Sequence, residues 1–161
     1  MALNKNISYS VNIMNYFAYG SNMHKERMKE RGITIFSMQM ARLEGYKLVF
    51  NKITSVRENE GYANIMKDPK GIIEGILYEI NDSGIPRLDK YEGYPEHYRR
   101  IKITVMLDNG KEVSADTYVA NPDKTRDGLK PSREYLNHLL AAKDFLSPEY
   151  YEKLKATETI D

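Results

Sequence analysis

The segment Tyr16-Phe17-Ala18-Tyr19-Gly20-Ser21-Asn22 is the first place in the chain where residue type and spacing could do chemistry. It reads as a strand, a glycine turn and a helix start. The free backbone N–H groups of a helix start converge on one point and favour an anion. Gly20 allows close approach of a ligand to the backbone, or a positive φ. Ser21 and Asn22 add side-chain donors and acceptors. The same residues could serve only as a helix cap, with Asn22 as the capping side chain. The segment has neither the GxxxxGK[ST] of a P-loop nor the GxGxxG of a dinucleotide fold.

A second constellation is Leu88-Asp89-Lys90-Tyr91-Glu92-Gly93-Tyr94, followed by His97 and Tyr98. Glu92 closes a short helix among Tyr91, Tyr94 and Tyr98. A carboxyl held among aromatic rings loses hydration, which raises its pKa toward that of a general base near neutrality. The bland alternative makes Glu92 one of 23 acidic residues on a solvated face, and Asp89 a turn cap. A third segment, Lys130-Pro131-Ser132-Arg133-Glu134-Tyr135, starts a helix and places Tyr135 either in the core or across a pocket mouth. His24, His97 and His138 show no HExxH or HxH pairing, so no metal is expected. The chain has no cysteine, which excludes disulfides, thiolate nucleophiles and Cys-ligated zinc. Ser21 lies outside a GxSxG elbow, so a serine triad is poorly supported. The chain holds 13 Tyr against 4 Phe and no Trp. Such a bias either fills the core with amphipathic rings or lines a polar pocket that orients a small ligand.

These residues need elements to hold them. The pattern predicts a short strand over 15–19, a helix over 23–31 capped by Asn22 with its charged run in solvent, and a strand over 41–53 with an irregularity at Gly45. Further strands are predicted at 62–66 and 71–80, the latter apolar on both faces. A short helix capped by Asp82 or Ser83 runs to Tyr91 and stops at Gly93. Strands over 100–107 and 112–119 flank the hairpin signal Asp108-Asn109-Gly110. Ser132 caps a helix reaching Phe145, and Ser147-Pro148-Glu149 starts the last one. Helices are not regularly interleaved with strands, which predicts an α+β fold with a mixed, curved or barrel-like sheet.

At 161 residues the chain suits one domain. Residues 1–12 read as a disordered leader and 13–161 as a single unit. Lys and Arg number 24 against 23 Asp and Glu, a net charge of +1. That field is too weak to hold a polyanion, which argues against nucleic acid as a partner. No apolar run reaches the ~18 residues of a membrane helix. The N-terminus carries no apolar signal core, so a cytoplasmic location is expected.

Residues 16–23 resemble the opening signature of the γ-glutamylcyclotransferase family. Leu88-Asp89-Lys90-Tyr91-Glu92-Gly93 resembles its central LDxxEG signature, with Tyr98 at the usual distance. Thr117-Tyr118, 131–135 and 147–154 match in the same order, so the resemblance is colinear from about 15 to 157. It implies a β-barrel-like α+β fold with one pocket. It also implies an enzyme that turns a γ-glutamyl amino acid into 5-oxoproline and a free amino acid. By position, Glu92 matches the catalytic carboxylate, and Tyr19, Gly20, Ser21, Asn22 and Met23 match the loop holding the γ-glutamyl group. Tyr98, Tyr135 and Tyr118 match tyrosines that line the site. Asn22 does not fit the loop of the glutathione-specific branch. The resemblance allows a homodimer.

The implied chemistry suits the residues. The substrate's α-amine attacks its own γ-carbonyl, and well-oriented intramolecular attack reaches effective molarities of roughly 10⁵–10⁸ M. No enzyme nucleophile, metal or cofactor is required. One carboxyl, Glu92, could deprotonate the α-ammonium and then protonate the departing amine. Amides of Gly20–Asn22 could hold the oxyanion or the α-carboxylate. One rival is a cyclotransferase of the same fold acting on γ-glutamyl-amines, such as γ-glutamyl-lysine or a protected biosynthetic intermediate. Residues 121–130 are then expected to border the leaving half. The other rival is a non-catalytic small-molecule binding module.

Overall fold

The computed structural model describes residues 12–161. The expected leader lies outside that span except for Asn12, whose carbonyl accepts from the Asp82 N–H at 2.9 Å. Five strands close into a barrel: β1 (Ile13–Ala18), β2 (Ile35–Ile53), β3 (Gly61–Asn81), β4 (Tyr98–Leu107) and β5 (Glu112–Ala120). Their order around the barrel is β1-β3-β2-β4-β5. Four helices lie outside it: α1 (Lys25–Glu30), α2 (Ile85–Glu92), α3 (Arg133–Leu140) and α4 (Pro148–Lys155). This is the expected α+β class with a barrel-like sheet. Among the described residues no helix is long and apolar enough to cross a membrane.

The frame is a long antiparallel hairpin of β2 and β3. β1 lies along β3 from Ile13↔Asn81 to Ala18↔Ile76, and one parallel pairing, Tyr16↔Asp116, joins it to β5. β4 and β5 pair from Tyr98↔Ala120 to Met106↔Glu112 around the predicted turn. Residues 62–66 and 71–80 prove to be one strand rather than two. The stretch between them, to which the sequence assigns no element, continues the strand as a bulge. Glu44 pairs with Ile72 and Tyr46 with Lys67, so residues 68–71 stand opposite Gly45 alone. Gly45 has φ +85°, a left-handed conformation that glycine adopts without strain.

Strand alternation divides the buried residues. Phe17, Ile65, Ile73, Leu77 and Val105 fill the barrel. Tyr16, Ile76, Tyr78 and Ile80 face outward onto Met28, Leu88, Leu136, Leu139 and Leu154 of the helices. β3 is therefore covered on both faces over most of its second half, as its sequence predicts. Caps fall where serines were expected. Ser132 accepts from the Tyr135 N–H at 3.0 Å, and Ser147 accepts from the Tyr150 N–H at 3.2 Å. Asn81, not Asp82 or Ser83, caps the 3₁₀ turn that leads into α2. α3 stops at Leu140 rather than 145; a separate 3₁₀ turn spans Lys143–Phe145.

Gly75 marks where β1 and β3 approach too closely for a side chain. A Cβ there would stand 2.3 Å from the Ala18 carbonyl oxygen and 2.8 Å from the Phe17 ring. Gly75→Ala is expected to destabilise the barrel by about 1–3 kcal/mol through overpacking. Urea denaturation checks this as a lower midpoint with an unchanged slope; an unchanged midpoint would mean that the crossing yields freely.

Candidate active site

β1 ends at Ala18, and Tyr19, Gly20 and a 3₁₀ turn over Ser21–Met23 carry the chain to α1. α2 ends at Glu92 because Gly93 takes a left-handed conformation, φ +67°, and its N–H bonds back to Lys90. A Cβ at Gly93 would also meet the His97 ring at 2.8 Å. The turn and the helix end face one cavity of about 540 Å³. Of the residues predicted for the site, Tyr19, Gly20, Ser21, Asn22, Glu92, Tyr98, Tyr118 and Tyr135 all line it. Met23 does not. It is 1% exposed and belongs to the core with Met28, Leu136 and Leu139.

Asn22 is not a helix cap. His24 stands before α1, and no side chain caps that helix. The Asn22 side chain turns inward instead and is 3% exposed. Its Oδ1 accepts from Arg31 Nη1 at 2.8 Å. Its Nδ2 donates to the Tyr16 hydroxyl at 3.0 Å and to Glu92 Oε1 at 3.2 Å. Because a guanidinium only donates, the amide has one possible orientation, with its N–H groups toward Glu92. The Tyr78 hydroxyl donates to the Asn22 carbonyl at 2.6 Å and fixes the backbone as well.

Burial is the main influence on Glu92 and holds its pKa above the usual carboxylate value. Arg31, Arg27, Lys52 and the bond from Asn22 oppose it in that order. The tyrosine hydroxyls are mostly spent on the frame. Tyr19 donates to the Tyr118 carbonyl at 2.5 Å, and Tyr98 to the Ala63 carbonyl at 2.8 Å. Tyr135 accepts from the Ala63 N–H at 3.0 Å. Tyr118 donates to Asp89 Oδ1 at 2.7 Å, a carboxylate paired with Arg100 at 2.9 Å. Burial pushes the pKa of each of these phenols up, and the charge of Glu92 adds to the effect. They stay protonated, so Glu92 is the side chain suited to accept a proton here.

Sequence reasoning missed Tyr16, Arg27, Arg31 and Lys52, which also line the cavity. Lys25 and Glu26 do face solvent, whereas Arg27 turns in. Arg27 and Arg31 are spaced i, i+4 on one helical face, a signal the charge run concealed. Arg31 lies over the Tyr91 ring at 4.6 Å. Arg27 Nη1 donates to His138 Nε2 at 2.9 Å. His138 must then carry its proton on Nδ1, which faces His24 Nδ1 at 2.9 Å. Burial, Arg27 and His24 all lower the His138 pKa, which keeps this ring neutral. No cluster suited to a metal ion occurs among the described residues.

A raised pKa on Glu92 carries a stability cost. The folded carboxyl binds its proton more tightly than the unfolded one, so its contribution is favourable at low pH and is lost as pH rises through the folded pKa. Glu92→Gln removes the ionisation. Thermal melts from about pH 5 to about pH 8 should show the variant gaining on the wild type as pH rises. A variant that loses ground with rising pH would contradict the direction of the shift.

The family model described as "Gamma-glutamyl cyclotransferase, AIG2-like" matches residues 16–137. The gamma-glutamylcyclotransferase of Mus musculus is 34% identical over 149 residues, 89% of this chain and 78% of that protein. That of Homo sapiens is 33% identical over 152 residues, 91% of this chain and 79% of that one. A solved structure of a gamma-glutamyl cyclotransferase superposes with a TM-score of 0.81 at 31% identity, covering 93% of this chain and 90% of the other. A shared barrel and a shared sequence agree that the chain is an enzyme of the gamma-glutamyl cyclotransferase, AIG2-like family.

Proposed function

We propose that the protein cyclises the γ-glutamyl group of a γ-glutamyl amino acid, releasing 5-oxoproline and a free amino acid, with Glu92 as base and then acid. The observation that carries this reading is the Glu92 carboxyl, bonded to Asn22 at 3.2 Å inside the cavity that the Gly20 turn also lines. Glu92 takes a proton from the substrate's α-ammonium. The freed amine forms a bond to the γ-carbonyl carbon, and the carbonyl oxygen takes up negative charge. The carbon–nitrogen bond to the leaving amino acid then breaks as Glu92 returns the proton to that nitrogen and the oxyanion re-forms the carbonyl; the ring nitrogen gives up its second proton to the departing amine, which leaves as an ammonium. Charge on the enzyme is the same before and after.

The first amides of the turn over Ser21–Met23 have no acceptor within the turn. They are suited to the oxyanion. Arg27 and Arg31 supply cations on the neighbouring wall for the substrate's α-carboxylate, leaving the amides free. Gly20 keeps the turn thin: a Cβ would stand 3.1 Å from the Ala63 Cβ and 3.4 Å from the Tyr135 hydroxyl.

Glu92→Gln is expected to lower the rate of 5-oxoproline release from γ-glutamyl-alanine by about 10²–10⁴-fold, with an unchanged circular dichroism spectrum. A near-normal rate would remove Glu92 from the chemistry. Asn22→Ala deletes a bond that lowers the Glu92 pKa. The base must be ionised in the free enzyme, so the acid limb of kcat/KM should move to higher pH. A limb that stayed in place or moved down would show that Asn22 does not tune this carboxyl.

A further inference from the structure

We propose that Lys52 reads the carboxylate of the leaving amino acid, so that the enzyme selects γ-glutamyl amino acids over γ-glutamyl amines. This rests on the cyclisation proposed above and adds which substrate class the same cavity takes. Lys52 is the penultimate residue of β2, 4% exposed, and lines the cavity. Its ammonium donates to the Ile53 carbonyl at 2.5 Å and lies 5.6 Å from the centre of the Tyr98 ring. An ammonium has three donors, so two remain. Among the described residues no carboxylate pairs with it. Glu92 acts on Lys52 through its field, but its hydrogen bond goes to Asn22.

The surroundings suit an anion. The pairing Lys52↔Thr125 brings the turn over Pro122–Lys124 alongside. Lys124 repels Lys52, and burial alone already disfavours its charge, so its pKa is lowered. His97 lines the same cavity, and its Nδ1 is buried without a partner. A buried cation with no counter-ion gains most from an incoming carboxylate.

The position fits the second half of the substrate. Along one wall, Gly20 adjoins Ala63 and Tyr135. Tyr135 and Tyr98 hold the N–H and carbonyl of Ala63 from either side. Lys52 lies beyond them over the Tyr98 face. The γ-glutamyl head occupies the Gly20, Arg27 and Arg31 end, so the leaving half points toward Lys52. An amino acid brings a carboxylate there; a simple amine brings none.

The test compares kcat/KM for γ-glutamyl-alanine with that for γ-glutamyl-alaninamide, which has the same size and no terminal charge. Wild type should prefer the acid by roughly 10–100-fold, as expected for a charge-assisted hydrogen bond. In Lys52→Met the ratio should fall toward 1, and Lys52→Arg should keep most of it. A general structural defect lowers both substrates and leaves the ratio intact, which would overturn the proposal. A wild-type ratio near 1 would overturn it without any variant. If neither compound yields 5-oxoproline, the cyclisation itself fails. Calorimetric binding of the same two compounds to wild type and Lys52→Arg then decides the Lys52 site separately, with the same preference expected and equal affinities refuting it.

Discussion

A single side-chain amide ties the site together. Asn22 touches the phenol of Tyr16 on β1, Arg31 just beyond α1 and Glu92 at the end of α2, while its carbonyl receives Tyr78 from β3. Four pieces of the chain therefore meet at one residue that is almost wholly buried. A buried amide with an unmet donor or acceptor would cost about 1–3 kcal/mol per group, so these four pieces are coupled. Shifting any one of them leaves polar atoms unsatisfied. The barrel gives Glu92 a fixed address by this route, even though Glu92 lies at a helix end, where chains usually fray.

The tyrosines follow from the same constraint. For the proposed reaction, a cavity that accepts a charged head cannot be lined with leucine, and lining it with many ionisable groups would blur which of them takes the proton. Tyr19, Tyr98 and Tyr135 resolve this by pointing their hydroxyls at backbone groups. Their rings exclude water, which strengthens the field around Glu92. Their own pKa values are pushed out of reach by burial and by Glu92. The unusual tyrosine content is thus structural in its bonds and functional in its effect.

How much of this was legible in the sequence depends on the range of the interaction. The Ser132 and Ser147 caps, the Asp108-Asn109-Gly110 turn and the Gly93 stop are local, and the sequence shows them. The glycine turn and Glu92 could be placed in one site because linear motifs carry them. The double coverage of β3 was readable from Ile73, Ile76, Leu77, Tyr78 and Ile80. What failed was set by distant partners. Asn22 looks like a cap until Arg31 and Glu92 are seen to claim its side chain. Residues 67–70 separate two predicted strands until β2 is found to run past them. Lys52 reads only as part of the strand over 41–53, since nothing nearby in sequence records that Thr125 and Tyr98 lie against it. Met23 matched the loop by position, yet the 3₁₀ turn rotates it into the core.

In the proposed reaction Glu92 must both take and return a proton, and the charge balance around it suits both tasks. Burial alone would leave the carboxyl protonated and useless as a base, whereas three close ion pairs would hold it ionised and useless as an acid. The cations here act on Glu92 but are each anchored elsewhere: Arg31 by Asn22 and Tyr91, Lys52 by Ile53, Arg27 by His138. The choice of anchor matters. A carboxylate at position 138 would hold Arg27 as firmly but would cancel its charge within the protein. A neutral imidazole, fixed in one tautomer because Arg27 can only donate, positions the guanidinium and leaves its full charge to act on the cavity. The same logic applies to the carbonyl under Lys52 and the amide under Arg31. Neutral anchors let the cavity keep a cationic wall around its one carboxyl, whose pKa burial raises and these cations lower.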